Sequence, residues 1–520
     1  MEEETFFSNY EEKSMEPFSL LFLEENSLRD VAEPGFFRDL LLDIAVNEIA
    51  RDDEDLRKLF YILLKRKEEI LYRQEIFRDL ENDEILSIIK NFQSKMKEIL
   101  RFRKYQEEQY EYQREGIFIE NVETYCNAIT ELAEGLSRVS LASEGLRKFS
   151  KFIQLYVNSP GFNELKKKAQ SISKKLTSLN FSITIKGDKV IVRKYEGEME
   201  YTNEIRIAFR KFENETETED VFKSWKKYPG YYNHIEANIL HLLAIIYKEE
   251  FNELKLFYKN YKNFIHPMIL KFFAEMNFYL SYLDYIEPLK KIGMHFSLPE
   301  LVESAEEVSA ENTFDVVLAK KQLEQGKRTI VNDFHFEPGK RIIVVTGPNS
   351  GGKTTFARAI GQIHALGLLG LPVPGSKVKI LLADGIFTHF ERIERVENLR
   401  GKLEDELMRI KNILNSITDR SVIILNEMLS STTVYDATSI GREVLKKIIE
   451  KGSLCVFVTF IDELARMDGV KSMVAQVDPK DPSIRTFKIV PQEPSSAAYA
   501  YALARKYGLS KEIIRARLRK

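Results

Sequence analysis

The chain has 520 residues, of which 44% are apolar and 30% charged, with a formal net charge of -3. At about one domain per 100–200 residues this is too long for one small core and suggests three or four compact units. The composition excludes a disordered chain, and the charge excludes global attraction to nucleic acid, so a DNA-binding surface must be a local concentration of Lys and Arg. The opening "MEEETFFSNYEEKSMEPF" has no basic or apolar targeting region, and no later apolar run reaches the length of about 18 residues needed to span a bilayer, so a cytoplasmic protein with no membrane partner is expected. Cys126 and Cys455 lie far apart, the second inside "LCVFVTF", which points to a reducing compartment without a disulfide framework.

In chain order, residues 1–35 form an acidic N-terminal segment and residues 36–180 a helical core. Leu56, Leu59, Phe60, Leu63 and Leu64 recur at helical spacing and predict one face of a packed helix. Ser159-Pro160-Gly161 breaks a long helical stretch, and "NELKKKAQSISKKLTSL" resumes it with a lysine-rich, solvated face. "FSITIKGDKVIVRKYEG" then alternates apolar and polar residues about Gly187-Asp188, which predicts a small β-hairpin insertion over residues 181–212. Lys186, Lys189, Arg193 and Lys194 make it basic, suited either to DNA phosphates or to keeping an exposed edge soluble. Residues 213–312 hold the polar connector "FENETETEDVFKSWKKYPGYY" and a helical region starting at Ile235, Ile239, Leu242 and Ile246 and running to about Leu289. It reads as one long amphipathic rod, a lever, or as a plain bundle. From about Thr313 strands alternate with helices, the mark of a parallel α/β unit over residues 313–520.

That unit contains "RIIVVTGPNSGGKTTFARAIG", a strand, a glycine-rich loop and a helix start. Gly347 and Gly352 with Lys353 and Thr354 satisfy the G-x-x-x-x-G-K-[ST] spacing. The loop Gly347, Pro348, Asn349, Ser350, Gly351 and Gly352 is expected to cradle phosphates with the backbone N–H groups of its non-proline residues, helped by the start of the following helix, with Thr355 also a nucleotide-binding candidate. Lys353 supplies a point charge and Thr354 a hydroxyl for Mg2+. The downstream strand "SVIILNEMLSSTT" ends in Asn426-Glu427 where phosphate-handling strands usually end in Asp-Glu. Glu427 is the candidate catalytic residue, polarising the attacking water. Asn426 is the second metal-side residue, able to accept a hydrogen bond from a metal-bound water but without the charge of Asp. ATP and Mg2+ are the expected ligands, and slow ATP hydrolysis the expected activity.

With these residues in view, the chain resembles the MutS family of DNA mismatch-repair ATPases, which belong to the ABC-type class. "VNDFHFEPGKRIIVVTGPNSGGKTT", "LPVPGSKVKILLADGIFTHF", "NEMLSSTTVYDATSIG", "VFVTFIDELA" and "AYAYALARKYGLSKEIIRAR" carry the likeness, strong after Thr313. "KRKEEILYRQEIFRDLEN" and "YLDYIEPLKKIGMHFSLPEL" extend it loosely upstream. Three positions depart from the family: Asn426 replaces its Asp, Phe460 replaces a switch His, and "NLRGKLEDELMRI" puts Gly401 near an expected serine, with Glu406 matching a family glutamate.

The resemblance implies an α/β P-loop, ABC-type ATPase domain following a mainly α-helical core and lever. It implies a short branch without the N-terminal mismatch-recognition domain, since fewer than about forty residues precede the helical core. It further implies an ATP-gated, DNA-binding homodimer acting as a clamp in repair or recombination. Ser431, Thr432, Asp436 and Gly401 would contact the partner's nucleotide, and a repair-protein partner would follow. The alternative is a nucleotide-gated scaffold with little hydrolysis that binds a protein partner.

Overall fold

The computed structural model describes residues 18–24, 31–187, 189–197, 234–391, 401–429, 431–481 and 483–494, with residues 507, 509, 511 and 515. Most of the acidic N-terminal segment, the polar connector and the expected closing helices lie outside the described residues, as does Asp188 of the hairpin turn. The chain divides into two compact units. A helical unit holds Asn82–Leu141 and Leu146–Phe273, and a sheet unit holds Phe18–Glu81, Ala142–Gly145 and Ala274–Lys520.

Helices α1 (Leu42–Ala50), α2 (Glu54–Leu59) and α3 (Lys67–Leu80) belong to the sheet unit. Asp53 caps α2 by accepting from the Leu56 N–H at 2.9 Å. The apolar face expected over residues 56–64 is buried at Leu56, Leu59, Phe60 and Leu64, but the helix stops at Leu59. The Leu64 N–H bonds to the Leu368 carbonyl at 3.0 Å instead of continuing a helical ladder.

The helical unit is built from α4 (Asp83–Gln106), α5 (Glu111–Arg138), α6 (Glu144–Asn158) and α7 (Pro160–Thr177). Ser159 caps α7 through the Phe162 N–H, and Pro160 occupies the first turn, where its missing N–H costs nothing. The break at Ser159-Pro160-Gly161 is therefore the start of the next helix. Phe149 stacks on Phe272 with centroids 3.5 Å apart, and Phe118 meets Phe257, Tyr258 and Phe264 edge-on. Glu115 is buried on α5, and burial, assisted by Glu111, pushes its carboxyl up to about 7.

Strands β1 (Phe181–Lys186) and β2 (Lys189–Lys194) form the antiparallel hairpin, with Lys186 opposite Lys189 and Gly187 at φ +62° in the turn. The register puts Lys186, Lys189 and Arg193 on one face with Ser182 and Thr184. Lys194 lies opposite Phe181 on the other face, its ammonium 5.4 Å from the Tyr247 ring centroid. The expected rod is three helices, α8 (His234–Ile246), α9 (Lys248–Tyr261) and α10 (Pro267–Lys291). Tyr247 leaves helical geometry at φ -112°, ψ 52°, and α10 starts on a proline. On α8 the buried residues are Leu243 and Ala244, while Ile235 and Leu242 are exposed.

The sheet unit continues with β3 (Phe296–Ser297), β4 (Glu300–Val302), β5 (Ser309–Thr313), α11 (Val316–Glu324), β6 (Asn332–His335), β7 (Ile342–Thr346), α12 (Lys353–Leu368), β8 (Val373–Pro374) and β9 (Ser376–Leu381). After these come β10 (Gly385–His389), α13 (Lys402–Ser416), β11 (Ser421–Asn426), α14 (Val434–Lys451), β12 (Leu454–Val458), β13 (Val470–Val477) and β14 (Arg485–Pro491). Six strands order as β10-β11-β12-β7-β13-β14, parallel except for β14; four more order as β4-β9-β5-β6, and β3 pairs with β8. Every residue of β7, β11 and β12 is buried, as continuous apolar strands covered on both faces require. This is an α/β fold. The carboxyl ends of β7 and β11, separated by β12, present their loops on the same side of the sheet, where ligands of open α/β sheets bind.

Residues 18–22 are strapped onto this unit. Glu275 accepts from the Ser19 hydroxyl and the Leu20 N–H, the Tyr279 hydroxyl donates to the Leu20 carbonyl, and Arg73 donates to the carbonyls of Leu21 and Leu369. Arg73 is fully buried between the rings of Phe22 and Phe278, and burial lowers its guanidinium to about 10. Cys126 and Cys455 are free and buried, and among the described residues no helix is long and apolar enough to cross a membrane.

Candidate functional site

The glycine-rich loop joins β7 to α12. Gly347 has φ +113°, and a Cβ there would lie 3.0 Å from the backbone N and O of Ala475 on β13; a Cβ on Gly351 would lie 2.9 Å from the Pro348 carbonyl. Only glycine lets the loop run this close to the neighbouring strand and to itself. Ser350 adopts φ +58°, and Gly352, at φ +91°, is the residue immediately before α12. The Asn349 carbonyl accepts from Arg485 at 3.2 Å. The free N–H groups of the first turn of α12 follow at once, bringing the partial positive charge of a helix start.

Lys353 is buried, and its ammonium donates to the carbonyls of Gly347 at 3.0 Å and Pro348 at 3.1 Å. Burial holds its pKa below the ordinary lysine value; Glu427 opposes that shift and Arg485 adds to it. One residue on, the Thr354 hydroxyl donates to Asn426 Oδ1 at 2.7 Å across from the end of β11. Asn426 thus does what a carboxylate would do in orienting this hydroxyl, without a negative charge. Glu427 turns out of the strand at φ +51°, unusual for a residue with a side chain, and its N–H is fixed by the Val458 carbonyl at 2.9 Å. Such a conformation is held by its surroundings at a cost of about 1–3 kcal/mol, and it is common where chemistry is done.

These groups face one cleft of about 650 Å³, lined on the loop side by Ser350, Gly351, Gly352, Lys353, Thr354 and Thr355, with Glu427 beside them. The cleft is also lined by Leu318, Arg328, Ile330, Asn332 and Phe487, none of which sequence reasoning singled out. "RTIV" and "IRTFKIV" read as ordinary strand text, and neither says which loop its residues will approach. The donor set suits a hard cation that keeps most of its ligands from phosphate and water: a threonine hydroxyl positioned by an amide oxygen. Among the described residues no group of three or more His, Cys, Asp or Glu could hold a metal alone.

The remaining candidates lie elsewhere. The Ser431 hydroxyl donates to buried Glu406 at 3.2 Å, which ties the loop after β11 to α13. Thr433 caps α14 through the Asp436 N–H, and the Asp436 carboxylate accepts from Thr433 at 2.8 Å and lies 3.5 Å from the Thr432 hydroxyl. Gly401 precedes α13, and among the described residues no atom lies within 4 Å of where its Cβ would be. Val434 and Tyr435 are strongly exposed and Phe460 half-exposed. Lys186, Lys189, Arg193 and Lys194 belong to the helical unit.

Residues 343–519, which run from β7 through this loop and β11, match the family model of MutS domain V. Over these residues the chain is similar to the MutS family's domain V. Among MutS relatives, the DNA mismatch repair protein MutS of Aquifex pyrophilus is 29% identical over 240 residues, 45% of this chain and 28% of the relative. The protein of the same name from Caldanaerobacter subterraneus subsp. tengcongensis is 32% identical over 191 residues, 36% of this chain and 22% of the relative. That of Prochlorococcus marinus is 28% identical over 199 residues, 37% of this chain and 22% of the relative. The match thus spans about a quarter of the length of these MutS relatives.

Proposed function

We propose that the chain is a MutS-type, ABC-class ATPase whose nucleotide state gates a DNA-binding dimer in mismatch-type repair or recombination. The observation that carries the reading is the convergence of Ser350, Gly351, Gly352, Lys353, Thr354 and Glu427 on a single cleft, with Asn426 hydrogen-bonded to Thr354. The loop N–H groups and Lys353 bind the triphosphate, and the base lies against Ile330 and Phe487 of the same cleft. Thr354, oriented by Asn426, would hold Mg2+ from the protein side, and the ion would supply positive charge to the phosphates. Glu427 orients and deprotonates the attacking water. Asn426 brings no charge to the metal, so turnover is slow.

Two features support the wider reading. The names of the relatives specify DNA mismatch repair, and the hairpin offers Lys186, Lys189 and Arg193 on one face for phosphates, with Lys194 set apart over Tyr247. In a homodimer, Ser431, Thr432, Asp436 and Gly401 would close over the partner's nucleotide, the exposed Val434 and Tyr435 would be covered, and α8 to α10 would serve as levers. The test is steady-state ATP hydrolysis with and without duplex, mismatched and branched DNA. Hydrolysis that rises with DNA and vanishes in Glu427→Gln supports the reading. Saturable ATP binding with no turnover in either protein supports instead a nucleotide-gated scaffold with a protein partner.

A further inference from the structure

Phe487 sits where a side chain should not sit comfortably. Its φ is +58°, it is nearly half exposed, and it lies against Gly352 at the end of the phosphate-side loop, 3.6–3.7 Å from where a Cβ on that glycine would be. The cause is a bulge. Ala475 and Val477 on β13 pair with Ile489 and Arg485 on β14, so the single residue Gln476 faces three, Thr486, Phe487 and Lys488. A bulge of this kind re-aims a side chain, and here the side chain lines the cleft.

One side-chain amide bridges the bulge. Asn332 Nδ2 donates to the Phe487 carbonyl at 3.1 Å, and Asn332 Oδ1 accepts from the Ile489 N–H at 2.8 Å. Asn332 opens β6, the edge strand of the four-stranded sheet, and the bulge is in β14, the edge strand of the six-stranded sheet. The contact therefore laces two sheet edges together through two residues that line the cleft. It needs a donor and an acceptor in one short side chain: aspartate lacks the donor, leucine both. Two further bonds brace the same bulge, from the Thr486 hydroxyl to the Gln476 carbonyl at 2.9 Å and from the Lys488 ammonium to the Val331 carbonyl.

We infer that Asn332 is a positioning residue that clamps the bulge and so aims the Phe487 ring at the base of the bound nucleotide. It governs recognition of the base and leaves the grip on the phosphates untouched. The inference rests on reading the cleft as the ATP site, and it separates two halves of that site. Stacking on an aromatic ring reads area more than hydrogen-bonding pattern, so the platform favours purines over pyrimidines.

The experiment compares titrations of the full-length chain with the magnesium salts of ATP and of inorganic tripolyphosphate, which has no base. Asn332→Leu, Asn332→Asp and Phe487→Ala each weaken ATP about tenfold and change tripolyphosphate less than about twofold, as loss of one base stack requires. The Asn332→Leu/Phe487→Ala double variant binds ATP no more weakly than Phe487→Ala alone, because both changes remove the same contact. Asn332→Asp, which keeps the acceptor for Ile489, decides the matter if Asn332→Leu does not fold. Additive losses in the double variant, equal weakening of both ligands, or normal ATP binding in the Asn332 variants would overturn the proposal. Wild-type protein that binds neither ligand would instead remove the reading of the cleft, and the proposal with it.

Discussion

Lys353→Ala isolates the charge at the centre of the phosphate-side half of the cleft. An ammonium has three N–H donors, and two of them are engaged by the Gly347 and Pro348 carbonyls, which leaves one for a phosphate oxygen. A charge-assisted hydrogen bond is worth about 1.5–3 kcal/mol, so ATP affinity should fall roughly 10- to 150-fold. Adenosine, which lacks phosphates, should bind the variant as it binds wild type. Lys353 also gives the affinity a pH limb. Its folded pKa lies below the usual lysine value of 10.5, so the ammonium discharges earlier than a free lysine and ATP affinity falls as pH rises through that lowered value. The sign for stability is opposite: this group's contribution is present above the unfolded value and lost as pH falls through the folded one, because the unfolded chain holds the proton more firmly. Calorimetric titration of ATP and adenosine across alkaline pH reads both effects. An ATP change below about threefold, or an equal loss for adenosine, would refute the assignment of Lys353 to phosphate.

Glu427→Gln keeps the shape of the strand end and removes the base; single-turnover hydrolysis should slow by about 100-fold or more while ATP binding stays within a few-fold of wild type. Replacing Lys186, Lys189 and Arg193 together by alanine should lower the slope of log affinity for duplex DNA against log salt by about 2–3, whereas Lys194→Ala should leave it nearly unchanged, as measured by fluorescence anisotropy at several salt concentrations. Glu115→Gln concerns folding alone. The Glu115 carboxyl is raised from 4.5 to about 7 in the fold, so its contribution is present below 4.5 and lost as pH rises through 7. Urea unfolding should therefore find the variant more stable than wild type at pH 8, by on the order of 2 kcal/mol, and no more stable at pH 4.

The parts of the site that could be read in the text are those whose chemistry is local. Gly347 to Thr354 is one contiguous run, and each glycine is demanded by a conformation or an approach within a few residues of itself, apart from the contact with Ala475. Asn426 could be seen to lack a charge, but not to accept the Thr354 hydroxyl, since that bond joins residues 72 apart. Phe487, Ile330 and Asn332 were invisible for the same reason, with the bulge arising from how β14 meets β13 and β6. Helical periodicity marked buried residues better than helix ends: Leu64 is buried as the pattern requires, yet its N–H has left the helix for the Leu368 carbonyl. The expected rod failed at Tyr247 and Pro267, where local backbone geometry outweighed a pattern that continues through both.

The central claim is that the cleft between the glycine-rich loop and Glu427 holds a nucleoside triphosphate. Titrating MgATP into the wild-type chain by calorimetry, with a melting curve at each concentration, tests it most directly. The account predicts one saturable site per chain and a melting temperature that climbs with ATP concentration. A flat heat trace and an unmoved melting temperature at millimolar ATP would contradict it.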